Sequence, residues 1–435
     1  MLVAAGAVVL AIVAFGGGGG APKPPATKPG ASATPTPAPA SAPPAVKKAA
    51  KKAATVPLST QLETRGKHLS IGITESNPNF VSTSPEVPQP FARWRDQLGR
   101  MHPELYRLIV YWPAVQPSAD APPDLAGVNG GCVRDKGPCA PYAGIRDQLR
   151  ALATRQRSGG WEGFVVITGT PEWAARPPSA CERRRVTPTN RMPRIDALPA
   201  YERLVTALLA EARKQGASLR YWAPWNEPNH PYSSSPQRAT CSATAKPVSI
   251  QPYVAVANAL RRALAAAPGI QRYTIGEVAV LTRRTSLVTT VHEFLAALPP
   301  KLVCGAAAWT QHTYIGGEDV LGDVDRLLAS KGCRLAIWLT ETGAGAPHSG
   351  TARTGGRASE LTGCRAVQTA LSAWYRDPRV TAAIQYTLRE DDVFPVGLVT
   401  TDLTRAYPVL REWQQWGMTR RGNPSDPPPA KAACH

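Results

Sequence analysis

Tyr221-Trp222-Ala223-Pro224-Trp225-Asn226-Glu227-Pro228-Asn229 is an apolar run that ends on an acid and passes at once into loop residues. Ile337-Trp338-Leu339-Thr340-Glu341-Thr342-Gly343 has the same form. An apolar run closed by a carboxylate reads as a strand buried on both faces whose tip presents the acid. Two such tips predict a pair of carboxylates at one end of a barrel.

Working outward, strand-like runs fall at 68–73, 106–111, 163–168, 220–225, 273–280, 306–314, 334–340 and 380–387. Helical spacing separates them. Ile145, Leu149 and Leu152 recur at four and three, as do Tyr201, Leu204, Val205, Leu208, Leu209 and Ala212, which Gly216 stops. Further helices are expected at 254–267, 288–298, 320–328 and 359–375. Eight strands alternating with helices predict an α/β fold, a (β/α)8 TIM barrel in a single catalytic domain over 61–418. The segments after strands 2, 3, 4 and 7 are long and rich in Pro, Gly, Arg and Ser, as befits an active face.

Residues 1–20 read as a hydrophobic signal or membrane anchor, although the run lacks a basic lead. Residues 21–60 form a Pro/Ala/Lys-rich tract that buries too little apolar surface to fold, a disordered linker. Residues 419–435 read as a C-terminal tail. This layout predicts a secreted or extracytoplasmic protein, anchored through its N-terminus if the first segment is retained. The net charge is +19, and six lysines with no acid among them lie in the first 55 residues. Such a field favours anionic partners, whether an acidic polysaccharide, a cell envelope or membrane reached through the N-terminus, or nucleic acid, or else reflects a basic proteome and a soluble surface.

Eight cysteines contain no Cys-x-x-Cys pair, which argues against a zinc ribbon or a thioredoxin-type site. An even count in an exported chain predicts disulfides. From expected positions in the barrel we pair Cys132 with Cys139, Cys304 with Cys333 and Cys181 with Cys241. Cys364 and Cys434 are left unassigned.

Paired carboxylates at a barrel mouth are the machinery of glycoside hydrolysis. One must be a protonated acid, and apolar surroundings with a neighbouring carboxylate are expected to raise the pKa of Glu227 for that role. The other must stay ionised as nucleophile, and Glu341, followed by small residues, suits it. Asn226 is placed to bond a sugar hydroxyl. Three further acidic groups compete: Glu75 after strand 1, Glu277 inside strand 5, and Glu390-Asp391-Asp392 after strand 8. Of these, Glu75 and Asp392 would face the same cleft; each is otherwise a plain loop acid. His292-Glu293 lacks a second histidine four residues after the first, so a zinc protease is not supported. No phosphate-cradling or dinucleotide-binding glycine pattern is present.

These motifs resemble clan A glycoside hydrolases, which carry the acid/base in an Asn-Glu pair after strand 4 and the nucleophile after strand 7. Asn226-Glu227 and Glu341 occupy those places. Trp225-Asn226-Glu227-Pro228-Asn229 is similar to glycoside hydrolase family 39, though family 5 and other clan members use the same words. The resemblance spans roughly 65–418. It implies that Arg107 steadies the nucleophile, the alternative being an ion pair at the barrel base. It implies that Tyr314 donates to the nucleophile and that His312 lines the sugar site, the alternative being a core histidine. Among Trp112, Trp173, Trp309 and Trp338, some are expected to stack on sugar faces. Where the clan often has a tryptophan on strand 8, this chain has Tyr386.

The implied activity is a retaining O-glycosyl hydrolase acting on a β-linked glycan, with an oligosaccharide or polysaccharide substrate, acidic or neutral. No cofactor and no metal is implied. The alternatives are a transglycosylase with the same residues and a non-catalytic glycan-binding envelope protein. No specific nucleic-acid motif accompanies the basic charge.

Overall fold

The computed structural model describes residues 69–133, 137–183, 185–344, 356–391, 394–418 and Cys434. The expected signal or anchor, the linker, Asp392 and the tail other than Cys434 lie outside the described residues.

Eight parallel strands form the barrel: β1 (Ser70–Thr74), β2 (Leu105–Tyr111), β3 (Glu162–Thr168), β4 (Leu219–Ala223), β5 (Arg272–Tyr273 and Ile275–Ala279), β6 (Trp309–His312), β7 (Ile337–Thr342) and β8 (Val380–Tyr386). Each pairs with its sequence neighbours, and β1 pairs with β8. The first piece of β5 pairs with β4 and the second with β6, which closes the ring. Around it lie α1 (Phe91–Gly99), α2 (Gly144–Gly159), α3 (Leu198–Gln215), α4 (Ile250–Ala266), α5 (Val291–Ala297), α6 (Leu321–Ser330), α7 (Gly356–Arg376) and α8 (Val409–Met418).

The expected strands and helices are present with shifted ends. Gly216, in the left-handed region at φ 76°, ends α3 as its place in the sequence predicts. The expected helix at 288–298 begins only at Val291, because Thr290 and Glu293 form a capping box there. That box, with ion pairs to Arg238 and Arg284, is the use of Glu293. The sequence reading assigned no helix to α1 or α8. Both are short and charged on their outer faces, and Phe91, Trp94 and Leu98 are the apolar spacing that marks α1.

Inside the barrel, Trp338 meets Tyr221 and Phe164 edge-on at 4.8 and 6.0 Å between ring centres. Leu105, Val166, Ala223, Ala308, Ala382 and Ile384 complete this inner cluster. Aromatic edge-to-face pairs add about 0.5–1.5 kcal/mol each beyond the area they bury. A second, larger core fills the space between barrel and helices.

All eight cysteines are paired: Cys132–Cys139, Cys181–Cys241, Cys304–Cys333 and Cys364–Cys434. The first three are the pairs expected from position. The fourth ties α7 to the end of the chain. Among the described residues no helix is long and apolar enough to cross a membrane.

Candidate active site

The register brings β1, β2, β6, β7 and β8 together at one mouth. Thr74 pairs with Arg107 on one side and with Tyr386 on the other, and His312 pairs with Glu341. The ladder slips between Leu339 and Glu341, and again between Gly276 and Val278. Bulges at strand ends re-aim side chains, and these two sit at Glu341 and Glu277.

After β4 the chain is clamped from several sides. Trp225 donates through its indole to Ser233 O, Asn229 bridges to Ala279 and Thr289, and Tyr201 donates to Pro224 O. Glu227 is forced to φ 43°, and its N–H donates to Glu277 O at 2.8 Å. Glu277 itself has φ 52°. Only four non-glycine residues among those described adopt positive φ, and two are these glutamates. Such conformations cost roughly 1–3 kcal/mol each and persist where the surroundings over-determine them.

The side chains form an alternating chain of charge. Glu341 Oε1 lies 2.9 Å from Arg107 Nη1, and Arg107 Nη2 donates to Glu277 Oε2 at 2.9 Å and to Asn226 Oδ1 at 2.8 Å. His312 bridges Glu277 Oε2 and Glu227 Oε1, each at 2.8 Å from its ring nitrogens. Tyr314 donates to Glu341 Oε2 at 2.6 Å. His312 Nδ1 is also 3.4 Å from that oxygen. One carboxylate oxygen of Glu227, one of Glu341 and a His312 nitrogen lie within 4.8 Å of one another. Glu227 Oε2 is buried with no hydrogen-bond partner and sits 3.9 Å from His230 Nδ1.

Burial opposes charge on all these groups, and their neighbours outweigh it. Burial pushes Glu277 up, but Arg107 and the His312 bond hold it down at about 2. Burial pushes His312 down, but the charge of Glu341 and the bonds to Glu227 and Glu277 raise it to about 10. Burial raises Glu227, yet the His312 bond and charge, with His230 and Arg107, leave it below the ordinary value. This overturns the expectation of a raised Glu227: the cationic ring 2.8 Å away matters more than apolar surroundings. Burial first, then Glu341, push the Tyr314 hydroxyl well up, so it stays a donor.

Could this donor set hold a metal? Glu227, His312 and Glu341 are close enough. However, both His312 nitrogens already face carboxylates, and the ring's raised pKa leaves no lone pair for a cation. The geometry is that of a proton-sharing network.

A cleft of about 510 Å³ opens on this mouth. Thr74, Glu75, Arg107, Tyr111, Tyr142, Asn226, Glu341 and Tyr386 are among its lining. Glu227, 1% exposed, lies outside that lining. Arg107 reaches the cleft floor with its guanidinium committed to Glu341, Glu277 and Asn226. His312, expected to line the sugar site, is instead held between carboxylates with 2% exposure. The expected tryptophan platforms are corrected as well. Trp112 is fully buried, donates to Gln116 Oε1 and packs edge-on against Trp173 and Tyr201. Trp173 is half-buried, donates to Gln116 O and is not part of the described lining. Trp309 and Trp338 are core. The ring faces near the cleft belong to Tyr111, Tyr142 and Tyr386.

Sequence reasoning counted Glu277 among the competing acids without assigning it a role. Its signal was Gly276, whose φ of 115° and approach to Thr310 O exclude a side chain and mark a break in β5. Glu75 does face the cleft. Its carboxylate accepts from Asn77 N and Arg389 N, yet burial raises its pKa to about 7.

No family model matches the sequence, and the search of curated proteins finds no match. Solved structures are similar in fold. A conserved exported protein from Bacteroides fragilis aligns at a TM-score of 0.53 and 12% identity, over 82% of this chain and 80% of that one. A family 39 glycoside hydrolase from Bacteroides cellulosilyticus aligns at 0.46 and 14% identity, over 81% and 64%. A β-glucuronidase from Bacteroides uniformis aligns at 0.46 and 15% identity, over 80% and 34%, so this chain spans about a third of that protein's length. The chain is a (β/α)8 barrel, similar in fold to the exported protein from Bacteroides fragilis.

Proposed function

We propose that the protein is a retaining glycoside hydrolase acting on a β-linked glycan. The observation that carries this reading is the approach of Glu227 and Glu341 oxygens to within 4.8 Å at the barrel mouth. Carboxyl groups about 5–5.5 Å apart suit double displacement, whereas inversion needs ~6.5–9.5 Å to fit a water. Glu341, oriented by Arg107 and Tyr314, attacks the anomeric carbon. Glu227 gives a proton to the leaving oxygen, whose bond to the anomeric carbon breaks as the ester to Glu341 forms. Glu227 then takes a proton from the water that releases the sugar. Its Oε1 is held by His312, while its Oε2 accepts no hydrogen bond among the described residues. Because His312 holds Glu227 below its ordinary pKa, an acidic optimum follows for substrates whose leaving group needs a proton. The β anomer comes from the clan A resemblance.

The charge of the cleft bears on the substrate. Its described lining carries Glu75, Asp124 and Glu341 but one cation, Arg107, already committed. This favours a neutral sugar at the reaction centre over a uronate. The four disulfides fit an oxidising, extracytoplasmic setting, where such a glycan is met.

A panel of aryl β-glycosides, neutral and uronic, tests the reading. Glu341→Ala should lose turnover on every substrate the wild type cleaves. Glu227→Ala should lose turnover on poor leaving groups while still reacting with a dinitrophenyl glycoside. Azide should rescue that variant with retained configuration. Full activity in both variants would place the chemistry elsewhere.

A further inference from the structure

Glu277 is unused by the double displacement just described, yet it sits at the centre of the charge network. Its side chain is fully buried, with Arg107 Nη2 at 2.9 Å and His312 Nε2 at 2.8 Å. The backbone of β5 leaves its ladder register to turn it inward, through Gly276 at φ 115° and Glu277 at φ 52°. Burying a carboxylate costs several kcal/mol unless its partners are well placed. Here both of these partners are cations; Arg107 also touches Glu341, and His312 touches Glu227 and, at 3.4 Å, Glu341.

We propose that Glu277 is a positioning residue that keeps the His312 ring doubly protonated, so that Nδ1 always donates to Glu227 Oε1. The inference rests on the reading of Glu227 as the acid/base. The groups facing His312 are Glu227 from the β4 end, Glu277 from β5, Glu341 from β7 at 3.4 Å and Arg107 from β2 at 3.5 Å. Behind them stand His230, 3.9 Å from Glu227, and Tyr314, bonded to Glu341. With Glu277 in place, the ring has a carboxylate on each nitrogen, and losing either proton turns a ring lone pair toward a carboxylate oxygen 2.8 Å away. Without Glu277, the ring faces the Arg107 cation with one carboxylate fewer, and the imidazolium is the form that loses. Glu227 then loses its charged donor, and its own proton is held more tightly.

Histidine-selective ¹⁵N NMR on the full chain reads this directly, with His312→Asn used to assign the signal. In the wild type at pH 8, both His312 nitrogens should show protonated shifts. In Glu277→Gln, folded by circular dichroism, the ring should titrate lower by about one pH unit or more. A neutral His312 in the wild type at pH 8, or an unchanged titration in the variant, overturns the proposal. Should the variant not fold, the wild-type spectrum decides alone. Kinetics give a second readout. The alkaline limb of kcat/KM for a phenyl β-glycoside should move upward in Glu277→Gln, by about one pH unit or more, with no such limb for the dinitrophenyl glycoside. A purely structural role would lower both rates without moving the limb. If Glu227→Ala and Glu341→Ala both remain fully active, the enzymatic reading fails, while the NMR result still decides whether Glu277 governs His312.

Discussion

Trp338 and Glu341 stand on the same strand, and β7 puts them to opposite uses. Around Trp338 the barrel interior is apolar and aromatic, closed by Phe164 and Tyr221. Around Glu341 it is ionic, with three carboxylates and two cations nearly excluded from solvent. Apolar packing repays the cost of ordering the chain, whereas a buried ion network seldom adds net stability. The contrast assigns stability to the barrel's lower interior and chemistry to its mouth, with strained φ at Glu227 and Glu277 as part of the cost of that chemistry.

The sharpest way to break this division is at its two poles. Glu341→Gln should lower kcat on the order of 10⁴-fold or more, with a melting temperature close to the wild type. Trp338→Ala should do the reverse. It should destabilise by about 3–5 kcal/mol in chemical denaturation, with kcat/KM of the folded fraction near the wild-type value. A Trp338 variant that lost activity without losing stability would dissolve the contrast.

The disulfides sharpen the same comparison. Cys181–Cys241 joins the loops after β3 and β4 at the mouth, while Cys304–Cys333 lies just ahead of β6 and β7 at the other end. Replacing either pair by serines should cost about 2–4 kcal/mol. Only loss of the mouth pair should also raise KM. Equal KM effects from both would show that the bridge at the mouth does not shape the cleft.

The smallest expected effect concerns Glu75. Its carboxyl titrates near 7 in the folded chain against 4.5 as its ordinary value. The folded state therefore binds the extra proton between those pH values. Stability from this group is full below about 4.5 and is lost as pH rises through 7. Glu75→Gln should remove this slope and gain about 1–3 kcal/mol over the wild type at pH 8. Thermal melts at pH 4, 6 and 8 read the difference. A wild type that gains stability relative to the variant as pH rises contradicts the burial argument.

Much of this architecture was legible in the sequence, for a physical reason. Strands buried on both faces are continuous apolar runs, and Gly163 to Thr168 or Ile337 to Thr340 admit few other readings. The acids at strand tips were legible because a charge cannot sit lower in such a barrel. The contacts of Arg107 and Tyr314 with Glu341 were expected from the resemblance, but most other partners were not legible. Trp112 and Trp173 lie near strand ends as expected, but packing turned one fully and the other partly inward, and no spacing rule encodes that. Glu277 looked like a stray acid inside a strand, because the bulge that aims it depends on Gly276 meeting Thr310 across the sheet. The lowered pKa of Glu227 depends on His312, distant in sequence and adjacent only once the ring closes.

The most direct test of the central claim is the identity of the residue that carries the sugar. Glu227→Ala, mixed with a dinitrophenyl β-glycoside that the wild type cleaves and quenched in acid, should accumulate a glycosyl-enzyme. Peptide mass spectrometry should place the added mass on Glu341. An adduct on any other residue, or turnover of that glycoside with no adduct and inverted product, would contradict the account.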